Sequence, residues 1–413
     1  MSSQTSYPNP PALHDPATYE KGVPYDYYRW LRDNDPVACL PHPTYAGEKL
    51  WVITRYADVQ RVSRDATTFR NSPDPFVDDG VNNPSTAGTD QLMISLDAPD
   101  HIKLRKLINK GFTPRRVAML SDRLRERTDE IIDGLADRQS ADLVHDLALW
   151  LPLHVIADMV GVPESDRVMV FEWVEKTFGF DPTTTPEERA QAATEMFMYA
   201  DAMCVEREKN PKDDLMSVLL AAEVDGEKLT AFQIELFFML LQNAGSETTR
   251  NLITTGTLAL MQHPDQYELI RNDVDLLPAA IEELLRFSTP VIHFTRTAAV
   301  DTEIDGHKIA AGERVLMVYA SANRDERAFA NPDSLDIQRD PNDHVAFGAG
   351  GPHFCLGANL ARLEGRIMFE QILTRFNGLR WVGDWNDNER VFSNLIDGYA
   401  HLPIEWDSIS PAS

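Results

Sequence analysis

Between Thr230 and Pro264 the chain carries a helical pattern with almost no polar face. Thr230 and Gln233 form a capping-box pair, each satisfying the other's backbone N–H. Pro264 cannot continue the run. About 32 residues at 1.5 Å each predict a rod of roughly 48 Å, enough to cross a whole domain. Phe237-Phe238-Met239-Leu240-Leu241 is apolar nearly all round, and such a helix has to be buried. The rod is thus the expected central element of a mainly α fold. Its middle, Ala244-Gly245-Ser246-Glu247-Thr248-Thr249-Arg250, departs from the pattern. Small residues there permit close packing, and Gly245 weakens the helix locally. An acid followed by an alcohol is costly in a buried helix unless used or satisfied. The plain alternative is a hydroxyl bonded to the preceding turn.

Helical periodicity runs from about residue 100 to 290, broken at 179–185 by an expected hairpin between two long helices. Minor β structure is expected at 49–56, at His293 to Ala299 and at Val315 to Ala320, with turns at Asp305-Gly306 and Ala311-Gly312. Residues 71–91, rich in Pro, Gly, Asn and Asp, read as a long irregular loop, and loops of that length often serve function. There is no internal repeat. The motifs below converge on one cofactor, so residues 1–413 are expected to be a single domain despite their length.

The formal charge of -26 argues against a nucleic-acid partner. His101 to Ser121 is the exception, with Lys103, Arg105, Lys106, Lys110, Arg115 and Arg116 and no acid. This basic island suits an acidic protein partner, or is simply a solvated helix face. Cys39, Cys204 and Cys355 lie far apart, without the spacing of a zinc site or a disulfide framework. No apolar run is seen to approach the roughly 18 residues that span a bilayer. The polar N-terminus lacks signal-peptide character. These readings predict a cytoplasmic protein without a membrane anchor.

Residues 347–357 read Phe-Gly-Ala-Gly-Gly-Pro-His-Phe-Cys-Leu-Gly and lead into the helical pattern Ala358-Asn359-Leu360-Ala361-Arg362-Leu363-Glu364. A thiolate at a helix N-terminus is stabilised by the dipole and by free N–H groups. The glycines are expected to let a large flat ligand approach the backbone. His353 is in reach of an anionic edge of that ligand. A lone cysteine is commonly a small buried hydrophobe. The glycines, the histidine and the helix start favour instead a haem-thiolate site with Cys355 on iron.

This loop resembles the haem-binding signature of the cytochrome P450 monooxygenases, and the resemblance covers nearly the whole chain. It implies the P450 fold: one domain, mainly α with minor sheets, a long helix over haem b. The loop holds one residue more than the commonest bacterial form, which resembles the branch acting on sterols and methyl-branched lipids. By the same resemblance, Glu247 and Thr248 are the acid–alcohol pair that delivers protons to dioxygen. Glu283 and Arg286 form an ExxR pair on one helix face, locking with Arg339 to hold the thiol loop. His101, Arg105, Arg296 and His353 take the propionates, for which a guanidinium fork is well shaped. The substrate walls are Leu92, Met93, Ile94, Phe180, Ala244, Val291, Ile292, Phe294, Leu395 and Ile396. The loops at 71–91 and 179–185 are the expected lid.

The resemblance implies a monomeric bacterial monooxygenase that oxidises a hydrophobic substrate, such as a sterol, methyl-branched lipid or terpenoid. Electrons would come from NAD(P)H through a reductase and an acidic ferredoxin or flavodoxin-type donor. Two other classes compete: a peroxide-driven or isomerising haem enzyme, and a non-catalytic haem sensor. The acid–alcohol pair argues against the first. No appended signalling domain is visible to favour the second.

Overall fold

The computed structural model describes residues 7–41, 49–77, 89–178, 183–224, 226–383 and 389–412. The chain divides into two units. The first comprises residues up to Asp97, Glu282–Cys355 and Phe392–Asp397; the second comprises Ala98–Ile281, Leu356–Val391 and Gly398–Ser413.

The first unit is built on a five-stranded sheet in the order Val37–Pro41, Lys49–Ile53, Arg314–Val318, His293–Ala298, Phe69–Arg70. Lys49–Ile53 and Arg314–Val318 run parallel; the other neighbours are antiparallel. Side chains alternate across a strand. Trp51, Ile53, Val315 and Met317 share one core with Val59 and Val62 of the helix Tyr56–Arg64. Leu50, Val52, Leu316 and Val318 share another with Tyr27, Tyr28 and Leu31 of the helix Tyr25–Asn34. Both faces are covered, which is why these strands read as continuous apolar runs. Asp305 and Gly306 both adopt positive φ and close the hairpin between Thr302–Ile304 and His307–Ile309.

The second unit is helical around Ala231–Gln262, the 32-residue helix expected from the sequence. Thr230 and Gln233 make both capping-box hydrogen bonds, at 3.2 and 3.0 Å. Residues 251–260 are buried on every side. The helices Trp150–Val160, Pro186–Lys209 and Ala358–Arg375 pack along it. A Cβ at Gly245 would lie 2.7 Å from Ile156 Cδ1, so the glycine permits this helix crossing.

Several expectations need correction. One helical run, Leu143–Val160, does have the length and apolarity to cross a membrane, but 67% of it is buried in the protein, as in a core helix. The long helical region also contains the strand Ser140–Asp142 and a short pairing of Glu223–Val224 with Glu227–Lys228. Ser140–Asp142 joins Pro403–Glu405 and Arg380–Trp381 in a three-stranded sheet that the sequence reading did not anticipate. Within 71–91, Thr89–Gln91 forms a single 3-10 turn. Residues 78–88 and 179–182, the greater part of the expected lid, lie outside the described residues.

Candidate functional site

In the first unit, an i,i+3 spacing puts Glu283 and Arg286 on one helix face, and both are fully buried. Arg286 donates Nε and Nη2 to the two carboxylate oxygens of Glu283, each at 2.7 Å. Its Nη1 donates to the carbonyls of Asn323 and Pro332 at 2.8 Å. Glu283 also accepts from Arg339 Nε at 3.0 Å, Asp336 N at 2.9 Å and Asn342 Nδ2 at 3.2 Å. The three expected members thus meet. Asn323 extends the network, accepting from the Val345 N–H at 2.8 Å just before the thiol loop.

The thiol loop turns on itself. The Cys355 N–H donates to the Phe347 carbonyl at 2.9 Å. Gly348, Gly350 and Gly351 have φ of 89°, 91° and 86°, a region closed to most side chains. The reason for two of these glycines differs from the expectation. A Cβ at Gly351 would lie 2.4 Å from the Ser63 carbonyl oxygen, and one at Gly350 would lie 2.9 Å from Arg64 Nε. They let the loop press against the end of the helix Tyr56–Arg64. Ser63 Oγ and Arg64 Nε donate to the carbonyls of Gly350 and Ala349, at 2.8 and 3.2 Å. Clamped on that side, the loop presents Phe354 and Cys355 as exposed residues and His353 as half-buried. Cys204 is buried, where desolvation pushes its thiol pKa up to about 12. Cys39 is exposed on a strand, and burial of part of its side chain raises its pKa. Of the three cysteines, only Cys355 lies in a built loop.

Arg296, on the strand His293–Ala298, is buried, and desolvation pulls its pKa down; Tyr319 and Asp97 partly offset this. It makes no ion pair within 4.0 Å among the described residues; it donates to the Thr295 carbonyl at 2.8 Å and hydrogen-bonds the Tyr319 side chain. A buried guanidinium without a carboxylate partner is costly, and it fits a ligand carrying carboxylates.

Residues 290–292 run beside 395–397: Ile292 N donates to the Leu395 carbonyl at 2.8 Å, and Val291 bridges Ile396. Leu92, Ile94, Val291, Phe294 and Leu395 are half-buried apolar positions, as wall residues should be. Met93 and Ile396 are buried more deeply. Ile292 is a core residue of the sheet, packed in the cluster that holds Tyr28 and Leu31. Phe180 lies outside the described residues.

In the second unit, His101 and Arg105 lie one turn apart on the helix Asp100–Ile108, the first buried and the second half-buried. The long helix opens at one place. From Ile234 to Leu260, Ala244 is its exposed residue, and Gly245 and Thr248 beside it are half-exposed. Thr248 Oγ1 donates to the Ala244 carbonyl at 2.9 Å, so the hydroxyl is parked on the preceding turn at this open place. Glu247 is buried and pairs with Arg250, which reaches Glu175 Oε1 at 3.5 Å. Burial pushes the Glu247 carboxyl well above the usual carboxylate range, against the pull of the Arg250 guanidinium. Glu247 Oε1, both amide atoms of Gln242 and both of Asn251 have no hydrogen-bond partner among the described residues.

The sequence reading missed Glu364. It is buried on the helix Ala358–Arg375, bonded to Thr249, with Oε2 unpartnered among the described residues. Desolvation pushes its pKa up to about 8. The signal was present: Glu364 lies four residues after Leu360 and four before Met368, on one apolar stripe. The basic island is partly spent. Lys103 pairs with Glu227 at 3.1 Å, and Lys110 donates to the Glu223 carbonyl at 3.0 Å. Arg115 and Arg116 are exposed.

The chain is similar to known proteins. The Cytochrome P450 family model matches residues 152–388. A steroid C26-monooxygenase of Rhodococcus jostii is 38% identical over 404 residues, covering 96% of this chain and 84% of the relative. A methyl-branched lipid omega-hydroxylase of Mycobacterium tuberculosis is 41% identical, covering 91% and 89%. The crystal structure of a Bacillus megaterium P450 in complex with corticosterone superposes with a TM-score of 0.83 at 32% identity, covering 93% and 98%.

Proposed function

The chain belongs to the cytochrome P450 family and is a haem-thiolate monooxygenase, and from that premise we propose that it oxidises a C–H bond of a sterol, a methyl-branched lipid or a terpenoid. One oxygen atom of dioxygen enters the substrate. Electrons come from NAD(P)H through a reductase and an acidic ferredoxin or flavodoxin-type donor. The reading treats 1–413 as one domain, working as a cytoplasmic monomer.

In this reading Cys355 would hold the iron of haem b through its thiolate, and His101, Arg105, Arg296 and His353 would hold the propionates. The burial of Arg296 with no ion pair among the described residues and the exposure of Cys355 in its clamped loop both fit that cofactor. Haem, when bound, supplies the activation of dioxygen. The chain's own residues supply protons and position. Glu247, held between burial and Arg250, releases and regains a proton within the working pH range. Thr248 Oγ1 rotates off the Ala244 carbonyl and donates at the open face of the helix. Leu92, Ile94, Val291, Phe294 and Leu395 exclude water and orient an apolar substrate. Arg115 and Arg116 offer an unspent basic surface to the electron donor.

The observation that carries this reading is the opening at Ala244 and Thr248 in an otherwise buried helix, with an acid directly beside it. The supported substrate class follows the steroid and branched-lipid relatives. Two measurements test it. The reduced CO complex should show the red-shifted band of a thiolate, and Cys355→Ser should lose it. A sterol enone, a branched fatty acid, a monoterpene alcohol and a small phenol should then be titrated side by side for the shift to high spin. A shift with the phenol alone would remove the lipid reading and leave the monooxygenase intact.

A further inference from the structure

We infer that Asp142, His145 and His401, on the three-stranded sheet of the second unit, form a surface site for a divalent first-row transition ion, zinc in preference. The side chains come from distant parts of the sequence, and strand pairing brings them together. Asp142 lies opposite Pro403 in the register of Ser140–Asp142 against Pro403–Glu405. Leu143 N donates to the Leu402 carbonyl at 2.8 Å, which fixes residue 401 beside the turn that follows Asp142. That turn, Leu143–Ala148, is a π-helix, a rare form frequent at functional sites.

The carboxylate is oriented before any ion arrives. Asp142 Oδ1 accepts from the N–H groups of Val144, His145 and Leu402, at 2.8, 3.4 and 3.2 Å. Oδ2 is left to face His401 Nδ1 at 2.7 Å. The rings of His145 and His401 lie 4.8 Å apart, tilted by 45°. One donor atom from each of the three residues falls within 4.8 Å of the others. Asp146 secures the backbone behind them, accepting from the Asp142 N–H at 2.8 Å. It also takes both arms of Arg138, at 3.1 and 2.9 Å, so that cation is matched outside the cluster.

Two imidazoles and one carboxylate form a donor set that selects a borderline ion over the oxygen-seeking magnesium or calcium. Donors at about 2.0–2.2 Å from a tetrahedral ion stand roughly 3.3 Å apart. Asp142 and His401 are already close. His145 and His401 are exposed, so their rings can turn inward without disturbing the core. Water would complete the shell. The ion would tie the approach to Pro403–Glu405 to the turn after Ser140–Asp142, stabilising the folded unit by linkage. This inference is independent of the haem chemistry and of the substrate.

The test uses the haem-loaded enzyme, treated with chelator and desalted. Zinc chloride is titrated by calorimetry, and melting is followed with and without zinc. The unaltered protein should bind one zinc at this site and melt at a higher temperature with it. His145→Ala and His401→Ala should each weaken that step by about 10-fold or more. His401→Gln keeps a hydrogen-bond donor beside Asp142 and should still lose zinc, which separates metal binding from local folding. The CO spectrum confirms that each variant is folded. Binding and melting unchanged in the His145→Ala/His401→Ala double variant would overturn the inference. Equal stabilisation by magnesium would do the same.

Discussion

The cluster around Glu283 and the middle of the helix Ala231–Gln262 both bury charge, and they treat it differently. Glu283 and Arg286 are wholly buried, and each spends its hydrogen-bonding capacity on named partners: Arg339, Asp336, Asn342 and three carbonyls. In the long helix, Glu247 keeps an oxygen, and Asn251 and Gln242 keep amides, without a partner among the described residues, while Glu364 on the packed helix Ala358–Arg375 has one bond to Thr249. Each unpaired buried polar group costs about 1–3 kcal/mol. A fold that satisfies one buried network so fully is able to satisfy another. On the proposed reading the unpaired groups mark where stability is given up for proton handling, and the paired ones mark where rigidity is wanted.

Substitutions can break this contrast. Arg286→Ala leaves the Glu283 carboxylate buried with its main partner gone, and should cost about 3–5 kcal/mol by urea unfolding, with loss of the thiolate-type CO spectrum. Retention of both would mean that the cluster is dispensable to the loop.

Glu364→Gln should act in the opposite sense. Its folded pKa is raised to about 8 from 4.5. Below pH 4.5 both states hold the proton and the group adds no pH dependence. Between 4.5 and 8 the folded state retains a proton that the unfolded chain has released, so stability falls as pH rises through that window. The neutral Gln removes this loss, and the variant should exceed the parent by on the order of 5 kcal/mol at pH 9 while matching it near pH 4. Parallel pH–stability curves would show that the carboxyl is satisfied after all.

Thr248→Ala should leave folding and haem uptake intact. Product formed per NADH should fall about tenfold, equivalent to roughly 1.4 kcal/mol, with the balance appearing as peroxide. Unchanged coupling would take the hydroxyl out of the proton path and leave its bond to Ala244 as its whole role. The smallest effect belongs to the clamp: Ser63→Ala deletes one neutral hydrogen bond to the Gly350 carbonyl and should cost about 1 kcal/mol in unfolding. A loss several times larger would extend the rigid network to the helix Tyr56–Arg64.

How much of this was legible beforehand depended on the range of the signal. The long helix announced itself through local chemistry, a capping pair at 230 and 233 and a proline at 264. The Glu283–Arg286 pair was implied by the family resemblance, with an i,i+3 spacing that permits it, and the two side chains do pair. The strands Ser140–Asp142, Arg380–Trp381 and Pro403–Glu405 are two or three residues long, too short for a period-2 pattern to register. Ile292 and Phe294 look alike in sequence. The first precedes the strand His293–Ala298 and is buried in the core with Tyr28 and Leu31, while the second, within the strand, is half-buried. Glu364 shares the apolar stripe of Leu360 and Met368, a local hint, but only the packing of two helices shows that its water is removed.

The run of left-handed glycines sets a pattern of permitted variation along the thiol loop. Position 348 has positive φ but only distant neighbours, at 4.0 Å, so asparagine, which tolerates that conformation, should be accepted there. At 351 the Ser63 carbonyl fills the space of any Cβ, and at 350 the Arg64 side chain nearly does. A saturation library across 347–357, sorted for holoprotein, would return asparagine alongside glycine at the first position, scarce alternatives at 350 and almost nothing else at 351. The helix that ends at Arg64 therefore acts as the mould against which this loop is cast, and drift in the loop is limited by a surface that never touches the reaction.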